Sequence, residues 1–535
     1  MTRVWAPLAE RVELDAEGRR EPMARADGGW WAGRPLGPGT DYAFVLDDGD
    51  PLPDPRSPWQ PYGVHGASRT VDHASFAWTD EAWQPPALAD SVVYELHVGT
   101  FTPEGTFDSA IERLGHLTAL GVDLVEVLPV NAFSGRHGWG YDGVGLYAVH
   151  DPYGGPEAFK RFVDACHARG LGVVLDVVYN HLGPAGNYLG RFGPYFTERY
   201  RTPWGPAVNY DDAGSDEVRA FVVENALMWL RDYHCDGLRL DAVHAIFDQS
   251  ATHLLEEITV AAGGLGVVIA ESDLNDPRVV TPRDRGGYGC DAQWSDDFHH
   301  ALHAAMTGER DGYYEDFGPS EYVAKALRGA YVYDGQHSAH RGRRHGRPAT
   351  GLPATAFLGY LQDHDQVGNR ATGERSSHLL SRTQLEVAAA LVLTAPFVPM
   401  LFMGEEWGAT TPWQYFTDHE DAALAEAVRK GRRSEFAAFG WDEVPDPQDP
   451  ETFRRSTLDW SEAEGPLLDW HKRLIALRRS EPSLRSGEFA NATVDGDVLT
   501  VTRGDLVVVA DLRGRPVEVS GDVLLAAEAV AVVRR

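Results

Sequence analysis

The stretch GVVLDVVYNH, which spans residues 172–181, decides the fold. It begins as a run of aliphatic and β-branched residues and ends with the polar residues Asn180 and His181. A continuous apolar run of this length predicts a strand that is buried on both faces, as in a parallel sheet. Residues 216–234 follow with the spacing of an amphipathic helix. The stretch therefore indicates a strand-helix unit with polar residues at the carboxyl end of its strand.

The same alternation of strand and helix recurs on both sides of this unit. Strand-like apolar runs fall at residues 92–98, 123–130, 237–241, 266–271, 356–361 and 398–403. Helical patterns fall at residues 107–120, 156–169, 382–393 and 467–479, whereas the pattern around residues 292–294 is less regular. Repeated strand-helix units predict an α/β fold, here a (β/α)8 TIM barrel over about residues 84–480. An open doubly wound sheet has a similar periodicity and stays open as an alternative.

Two regions outside these repeats have no helical period. Residues 1–83 contain short apolar and aromatic runs separated by Gly and Pro, which predicts an N-terminal β-sandwich domain. Residues 481–535 are rich in alternating β-branched residues, which predicts a C-terminal β-sandwich domain. The sequence of 535 residues is therefore expected to form three domains.

The composition limits the possible partners. Asp and Glu outnumber Lys and Arg by 80 to 48, and the resulting charge of −32 disfavours binding to nucleic acid or to an anionic membrane. The sequence has no uninterrupted apolar segment of about 18 residues, and its three cysteines are too few for a disulfide framework. We expect a soluble, cytoplasmic protein that needs no metal and no cofactor. Its many aromatic residues suit the faces of sugar rings as well as an ordinary core.

Polar residues end nearly every predicted strand, and in a barrel all of these ends face one rim. Cleavage of a glycosidic bond needs one carboxylic acid that donates a proton and one carboxylate that attacks or supports the sugar carbon. Asp241 and Glu271 can form this pair. Arg239 lies on the same side of its strand as Asp241 and can keep it ionised. The apolar residues before Glu271 and the neighbouring anions favour its protonated form.

Four of these strand ends also resemble a known family. Residues 176–181, 237–243, 269–271 and 364–365 stand in the order and spacing of the four conserved regions of the α-amylase superfamily, glycoside hydrolase family 13. This resemblance covers most of residues 90–479 and implies a (β/α)8 barrel and a retaining reaction. It further implies Asp241 as nucleophile, Glu271 as acid/base and Asp365 as transition-state stabiliser. The substrate-binding residues that it implies are Tyr141, Asp176, His181, Arg239 and His364.

Further stretches resemble one branch of that superfamily, the malto-oligosyltrehalose trehalohydrolases. They are residues 139–144, 187–189, 192–196, 200–205, 413–419 and 431–433. The start of the N-terminal region resembles the carbohydrate-binding-module-like unit that precedes the barrel in this group. The resemblance implies hydrolysis of the α-1,4 bond next to the terminal trehalose of malto-oligosyltrehalose. It also implies malto-oligosyltrehalose synthase as a partner in the pathway, with no requirement for physical contact.

Three other functions stay open at this point. A glycogen branching enzyme or an isoamylase-type debranching enzyme would use the same barrel. A catalytically silent glucan-binding protein would also share it, but would need no set of three carboxylates.

Two features of the sequence bear on specificity and on pH dependence. The loop at residues 180–212 is rich in aromatic residues, and we expect Tyr195, Tyr200 and Trp204 to shape the subsites for the leaving trehalose. Asp363 stands where many members of the superfamily have Asn, and its additional carboxylate is expected to raise neighbouring pKa values.

Overall fold

The computed structural model describes residues 1–437 and 444–535, and a closed barrel of eight parallel strands lies at its centre. The first strand pairs with both the second and the eighth. This closure confirms the predicted (β/α)8 barrel and excludes the open doubly wound sheet. In chain order the barrel strands are Val93–Leu96, Leu124–Val127, Gly172–Val177, Gly237–Leu240, Val267–Ala270, Ala292–Trp294, Phe357–Gly359 and Val398–Phe402.

The sixth barrel strand, Ala292–Trp294, is the one that the sequence pattern did not indicate. It has three residues, and the polar Gln293 interrupts its apolar character. Gln293 nevertheless pairs in parallel with Ala270 of the fifth strand, and Trp294 pairs with Leu358 of the seventh. All three residues of the strand are buried. The strand conformation of these residues therefore depends on pairing with both neighbouring strands, because their own β propensity is weak.

Helices surround the barrel and supply the outer layer of the core. Their longer members are Gly155–His167, Ser215–Arg231, Leu254–Ala262, Asp296–Thr307, Ser320–Gly329, Arg382–Thr394, Ala422–Ala437 and Pro466–Ser480. Within the described parts of the chain, none of the helices is both long enough and apolar enough to span a bilayer.

The helix that was predicted over residues 107–120 is in fact two helices, Phe107–Ile111 and Leu114–Leu120. The hydroxyl of Thr106 accepts a hydrogen bond from the backbone N–H of Ser109 and caps the first. Gly121 ends the second at a φ of +100°, a conformation that favours glycine. The chain therefore turns between two short helices before it enters the second strand.

The N-terminal region forms two antiparallel sheets and packs on the loop that follows the third barrel strand. The ring of Trp5 lies edge-on against Tyr195, with 5.4 Å between ring centroids. A Cβ atom at Gly193 would lie 2.8 Å from the same Trp5 ring, so the loop backbone approaches it closely. The longer strands of this region are Arg3–Trp5, Val12–Ala16, Arg19–Pro22, Trp30–Ala32 and Asp41–Leu46.

The C-terminal region forms one five-stranded antiparallel sheet. The guanidinium of the buried Arg503 donates to the carbonyl oxygen of Thr394, at the end of a barrel helix, over 3.1 Å. The strands are Asn491–Asp495, Val498–Arg503, Leu506–Asp511, Asp522–Ala527 and Val530–Arg534. These flanking sheets agree with the predicted fold class, while the exact domain boundaries after residues 83 and 480 stay a prediction.

Candidate active site

A cleft of about 520 Å³ opens at the carboxyl ends of the barrel strands. Its position follows from the fold, because parallel strands in a barrel all end at the same rim. The structure brings together seven of the residues that the sequence singled out, and they line this cleft: Tyr141, His181, Trp204, Asp241, Glu271, His364 and Asp365.

Arg239 lies beneath the floor of the cleft, which is the part that contains Asp241 and Glu271. The side chain is 1% exposed, and its Nη1 donates to Asp176 over 2.8 Å and to Asp241 over 2.9 Å. Asp176 and Arg239 are paired residues of the third and fourth strands, which places their side chains side by side. The guanidinium also lies over the ring of Trp294, 4.2 Å from its centroid. Arg239 therefore pairs with two carboxyl groups, Asp176 and Asp241, from a buried position.

Both oxygens of Asp241 are held. Arg239 donates to Oδ1, and the amide of Asn180 donates to Oδ2 over 2.7 Å. Asn180 is thus a site residue, whereas the sequence pattern indicates it only as the end of its strand. Ala242, the next residue, has a φ of +39°, which is unusual for a residue other than glycine. Its backbone N–H donates to Oε2 of Glu271 over 2.7 Å.

Glu271 is set up to keep its proton near neutral pH. Burial raises the pKa of this carboxyl to about 8, and the negative charges of Asp241 and Asp365 act in the same direction. Arg239 and the N–H of Ala242 oppose that rise and do not overcome it. The floor therefore holds two carboxyl groups with different environments, of which Asp241 is bound to a cation and Glu271 favours its neutral form.

A chain of hydrogen bonds crosses the cleft from the first strand to the third. Glu95 accepts from Nδ1 of His364 over 2.5 Å, and Nε2 of His364 lies 2.8 Å from the hydroxyl of Tyr141. That hydroxyl donates to Asp176 over 2.6 Å. Burial alone would lower the pKa of His364, but Glu95 outweighs it and raises this pKa to about 10. His364 is therefore an imidazolium that donates to Tyr141.

Glu95 was missed by the sequence analysis, although the sequence contains a signal for it. It is the acidic residue within the otherwise apolar first strand, whose four residues are all buried. A buried carboxylate in such a strand needs a charged or hydrogen-bonding partner. Asp176 shares this environment, because burial raises its pKa to about 6 against the effect of Arg239. Both residues support the cleft from below.

Asp365 lies on a helix of five residues, His364–Gly368. The side-chain carboxyl group of Asp363 caps this helix, because its Oδ1 accepts from the backbone N–H groups of Asp365 and Gln366. Burial raises the pKa of Asp363 itself to about 8. The sequence predicts that Asp363 raises the pKa of its neighbours, and it contributes to raising the pKa of Asp296. The anions that raise the pKa of Glu271 are instead Asp241 and Asp365.

Trp204 is the aromatic residue of the long loop that reaches the cleft. It lies between the strands Phe196–Thr202 and Gly205–Val208 of a hairpin and is 51% exposed. Its ring stacks on His181, with 4.0 Å between centroids and 9° between planes. The hairpin therefore forms one wall of the cleft, over one of the predicted substrate-binding residues.

Tyr195 and Tyr200 do not line the cleft, which corrects that part of the prediction. Tyr195 is buried between Trp5 and Phe221. Tyr200 stacks on Phe247 with 5.2 Å between centroids, and its hydroxyl donates to Asp211. Both side chains contact other residues of the protein, and neither is among the residues that line the cleft. Aromatic content alone did not separate these roles, because tertiary packing decides which rings face inward.

Other lining residues were not predicted as site residues. Trp139 and Tyr415 belong to stretches that the sequence analysis used only for a resemblance, and His244 follows Asp241 by three residues. Asp142, Asn369, Thr417 and Arg432 complete the polar part of the lining. Across residues 1–437 and 444–535, three or more His, Cys, Asp or Glu side chains are nowhere grouped so as to hold a metal ion.

Comparisons with known proteins point to one family. Residues 71–202 match the model of the α-amylase catalytic domain. The chain is 54% identical to the malto-oligosyltrehalose trehalohydrolase of Arthrobacter ramosus, over 96% of this chain and 93% of that protein. It is 52% identical to the enzyme of the same name from Rhizobium sp. strain M-11, over 99% and 94%. A crystal structure of a Salmonella typhimurium protein, 39% identical, has a TM-score of 0.93 and covers 99% of this chain and 97% of that chain.

Proposed function

The chain belongs to the family of malto-oligosyltrehalose trehalohydrolases, and on that premise we propose that it hydrolyses the α-1,4-glucosidic bond next to the terminal trehalose of a malto-oligosyltrehalose. The products are trehalose and a malto-oligosaccharide. The observation that carries the proposal is the difference between the two carboxyl groups of the floor. Asp241 is held by a guanidinium, while burial raises the pKa of Glu271 to about 8. A retaining glycosidase needs this division between nucleophile and acid.

In the first step, Glu271 gives its proton to the glycosidic oxygen while a carboxylate oxygen of Asp241 forms a bond to the anomeric carbon. The bond between that carbon and the glycosidic oxygen breaks, and trehalose leaves. In the second step, the Glu271 carboxylate takes a proton from water, and the water oxygen displaces Asp241 from the same carbon. The anomeric configuration is retained after two displacements.

Further residues of the cleft fix the attacked sugar. Asp365 lies on the rim and is the proposed stabiliser of the positive charge that develops on the sugar ring. The hydrogen bonds of Tyr141 to His364 and Asp176 support its ring as a stacking platform. His181 stacks on Trp204 at the rim, and its Nε2 donates to the carbonyl oxygen of Tyr141 over 3.0 Å.

We place the departing trehalose against the hairpin wall. Trehalose has an α,α-1,1 linkage, so it bends away from the path of a maltose unit and needs a wall shaped to that bend. Trp204 and Pro203 line the cleft on this hairpin, and His244 adds a polar group beyond Asp241. An exposed indole in a cleft offers the flat apolar face that packs on a sugar ring.

We further propose a cytoplasmic location and a supply of substrate by malto-oligosyltrehalose synthase. The charge of −32 favours a protein that binds neither nucleic acid nor an anionic membrane. A neutral oligosaccharide is compatible with that charge, since its recognition depends on hydrogen bonds and stacking.

Product analysis on three substrates tests the proposal. With maltopentaosyl-trehalose we expect trehalose and maltopentaose, with a higher kcat/KM than for a plain malto-oligosaccharide of equal length. A branching enzyme would transfer glucan chains within amylose, and a debranching enzyme would release linear chains from a branched glucan. A silent binding protein would yield no product. Equal kcat/KM on the two linear substrates would return the protein to the general glucan hydrolases.

A further inference from the structure

The helix that carries Asp365 is held at both ends. Asp363 caps its beginning, as described above. At its end, the guanidinium of Arg432 donates from Nη2 to the carbonyl oxygen of Gly368 over 3.1 Å. The last carbonyl groups of a helix have no partner within the helix, so a cation at this place satisfies one of them and complements the helix dipole.

Asn369 connects this clamp to the carboxylate. Its amide Nδ2 donates to Oδ1 of Asp365 over 2.9 Å, and its Oδ1 accepts from Nη1 of Arg432 over 3.1 Å. An arginine is a donor only, and an ionised aspartate is an acceptor only. The amide therefore has one orientation in which both contacts are hydrogen bonds, and Arg432 turns the N–H groups of Asn369 towards Asp365.

Arg432 is itself fixed in place. Its guanidinium lies over the ring of Tyr415, 4.3 Å from the centroid, and both residues line the cleft. It belongs to the helix Ala422–Ala437, which follows the eighth barrel strand. A residue from outside the four conserved regions thus reaches the carboxylate through a single intervening side chain.

We propose that Arg432 and Asn369 are positioning residues that hold the carboxylate of Asp365 in the direction required by the transition state. This inference rests on the proposed function, in which Asp365 stabilises the positive charge on the sugar ring. The interaction of a carboxylate with a developing charge depends steeply on distance and direction, and a shift of about 1 Å can cost 10²-fold in rate. Asp365 lies exposed at the rim, so the relay supplies an orientation that burial does not.

Four variants and one control test the relay through turnover. Asn369→Ala and Asn369→Asp remove the donor to Asp365, and we expect kcat to fall roughly 10- to 100-fold with KM changed about threefold or less. Arg432→Gln leaves Asn369 in place, so the expected loss of kcat is about tenfold. Arg432→Lys retains the charge but not the planar fork and is expected to retain more activity than Arg432→Gln. Arg433→Ala, a change at an exposed neighbour on the same helix, should match the wild type.

Binding measurements distinguish a relay from general damage and do not require activity. The probes are 1-deoxynojirimycin, an iminosugar that is cationic when protonated, and maltose, which is neutral. We expect Asn369→Ala and Arg432→Gln to weaken binding of the cationic probe more than binding of maltose. In an Asp365→Asn background the same changes should have no further effect on that ratio, since the group that they position is gone.

The outcomes distinguish a failure of the proposed function from a failure of the proposed positioning of Asp365. Wild-type turnover in Asp365→Asn would overturn the proposed function of this site. A large loss in Asp365→Asn together with turnover within twofold of wild type in the Asn369 and Arg432 variants would overturn the relay alone. Equal effects on the probe ratio with and without the Asp365 carboxylate would also overturn it. If Asn369→Ala does not fold, Arg432→Gln gives the same readouts with the short helix unchanged in sequence.

Discussion

The floor and the hairpin wall of the cleft are built in different ways. On the floor, both oxygens of Asp241 are hydrogen-bonded by Arg239 and Asn180, and its backbone N–H donates to the carbonyl oxygen of Val177. On the wall, Trp204 is half exposed and makes one ring contact with His181. Atoms that form and break bonds need a fixed geometry, whereas a wall that packs on a leaving sugar needs a suitable face. We therefore expect changes in the floor to remove catalysis and changes in the wall to alter selectivity.

The largest effect is expected at the nucleophile of the floor. Asp241→Asn keeps the shape of the side chain but removes the attacking carboxylate, so kcat should fall by roughly 10⁴-fold or more. Binding of maltose, measured by calorimetry, should stay close to that of the wild type. Turnover within tenfold of the wild type would mean that Asp241 is not the nucleophile. The difference between the floor and the hairpin wall could then not be explained by this residue.

The second effect concerns the acid. Glu271→Gln cannot donate a proton, and we expect hydrolysis of malto-oligosyltrehalose to fall by roughly 10²- to 10⁴-fold. An aryl glycoside whose leaving group needs no proton should still form the glycosyl-enzyme, which a pre-steady-state burst would reveal. The same loss on both substrates in the burst phase would argue against Glu271 as the acid.

The pH dependence sharpens the account of the floor. Because burial and the neighbouring anions raise the pKa of Glu271 to about 8, the acid form predominates below this pH and is lost above it. The kcat/KM of the wild type should therefore fall about tenfold per pH unit above pH 8. In Trp204→Ala this alkaline limb should lie at the same pH, since the charges that raise the pKa of Glu271 belong to Asp241 and Asp365 and not to the hairpin. A limb near the ordinary pKa of a glutamic acid would contradict the proposed environment.

A smaller effect is expected at the wall. Trp204→Ala removes an aromatic face from the cleft, and we expect kcat/KM on maltopentaosyl-trehalose to fall about tenfold more than on a plain malto-oligosaccharide of equal length. Tyr195→Phe and Tyr200→Phe serve as controls, because neither side chain lines the cleft, and should leave this ratio within twofold. If the two controls changed the ratio as much as Trp204→Ala, the wall would have to be assigned differently.

The smallest effect concerns Asp363, below the rim. The folded protein raises its pKa to about 8, so the neutral carboxyl stabilises the fold at low pH and this contribution is lost as the pH rises towards 8. Asn caps a helix as well as Asp does and does not titrate. Between pH 5 and pH 9 the Tm of the wild type should therefore fall by roughly 2 °C more than that of Asp363→Asn. Parallel curves in calorimetry would contradict this.

Much of the barrel can be predicted because strands that are buried in a parallel sheet consist of consecutive apolar residues. Residues 172–177 show this, and so do the strand ends at Asp241 and Glu271, which a closed barrel must bring to one rim. Ala292–Trp294 has no such run, and its place depends on its partners in the sheet. The break between Ile111 and Leu114 is likewise invisible in the helical periodicity.

The supporting residues of the site are harder to predict, since they meet across elements that are distant in the sequence. Glu95 reaches His364 over a separation of 269 residues. Arg432 reaches Asn369 only because one helix packs beside the rim. Tyr195 does not line the cleft because its ring packs between Trp5 of the N-terminal region and Phe221 of a barrel helix, which are both distant from it in the sequence. The roles of the three catalytic carboxylates stay a prediction until the variants are measured.

The contact between Trp5 and Tyr195 has a consequence for how this chain can be recombined. The loop that contains the Trp204 hairpin packs against the ring of Trp5, which belongs to the first strand of the chain. At Gly193 this ring is so close that a side chain would not fit. A truncated protein that starts near residue 84 would expose the apolar face of Tyr195 and would lack the ring of Trp5 that supports the hairpin. In chimaeras and in evolution, Trp5, Gly193 and Tyr195 are therefore expected to be inherited together, so that selectivity and the N-terminal region change as one unit.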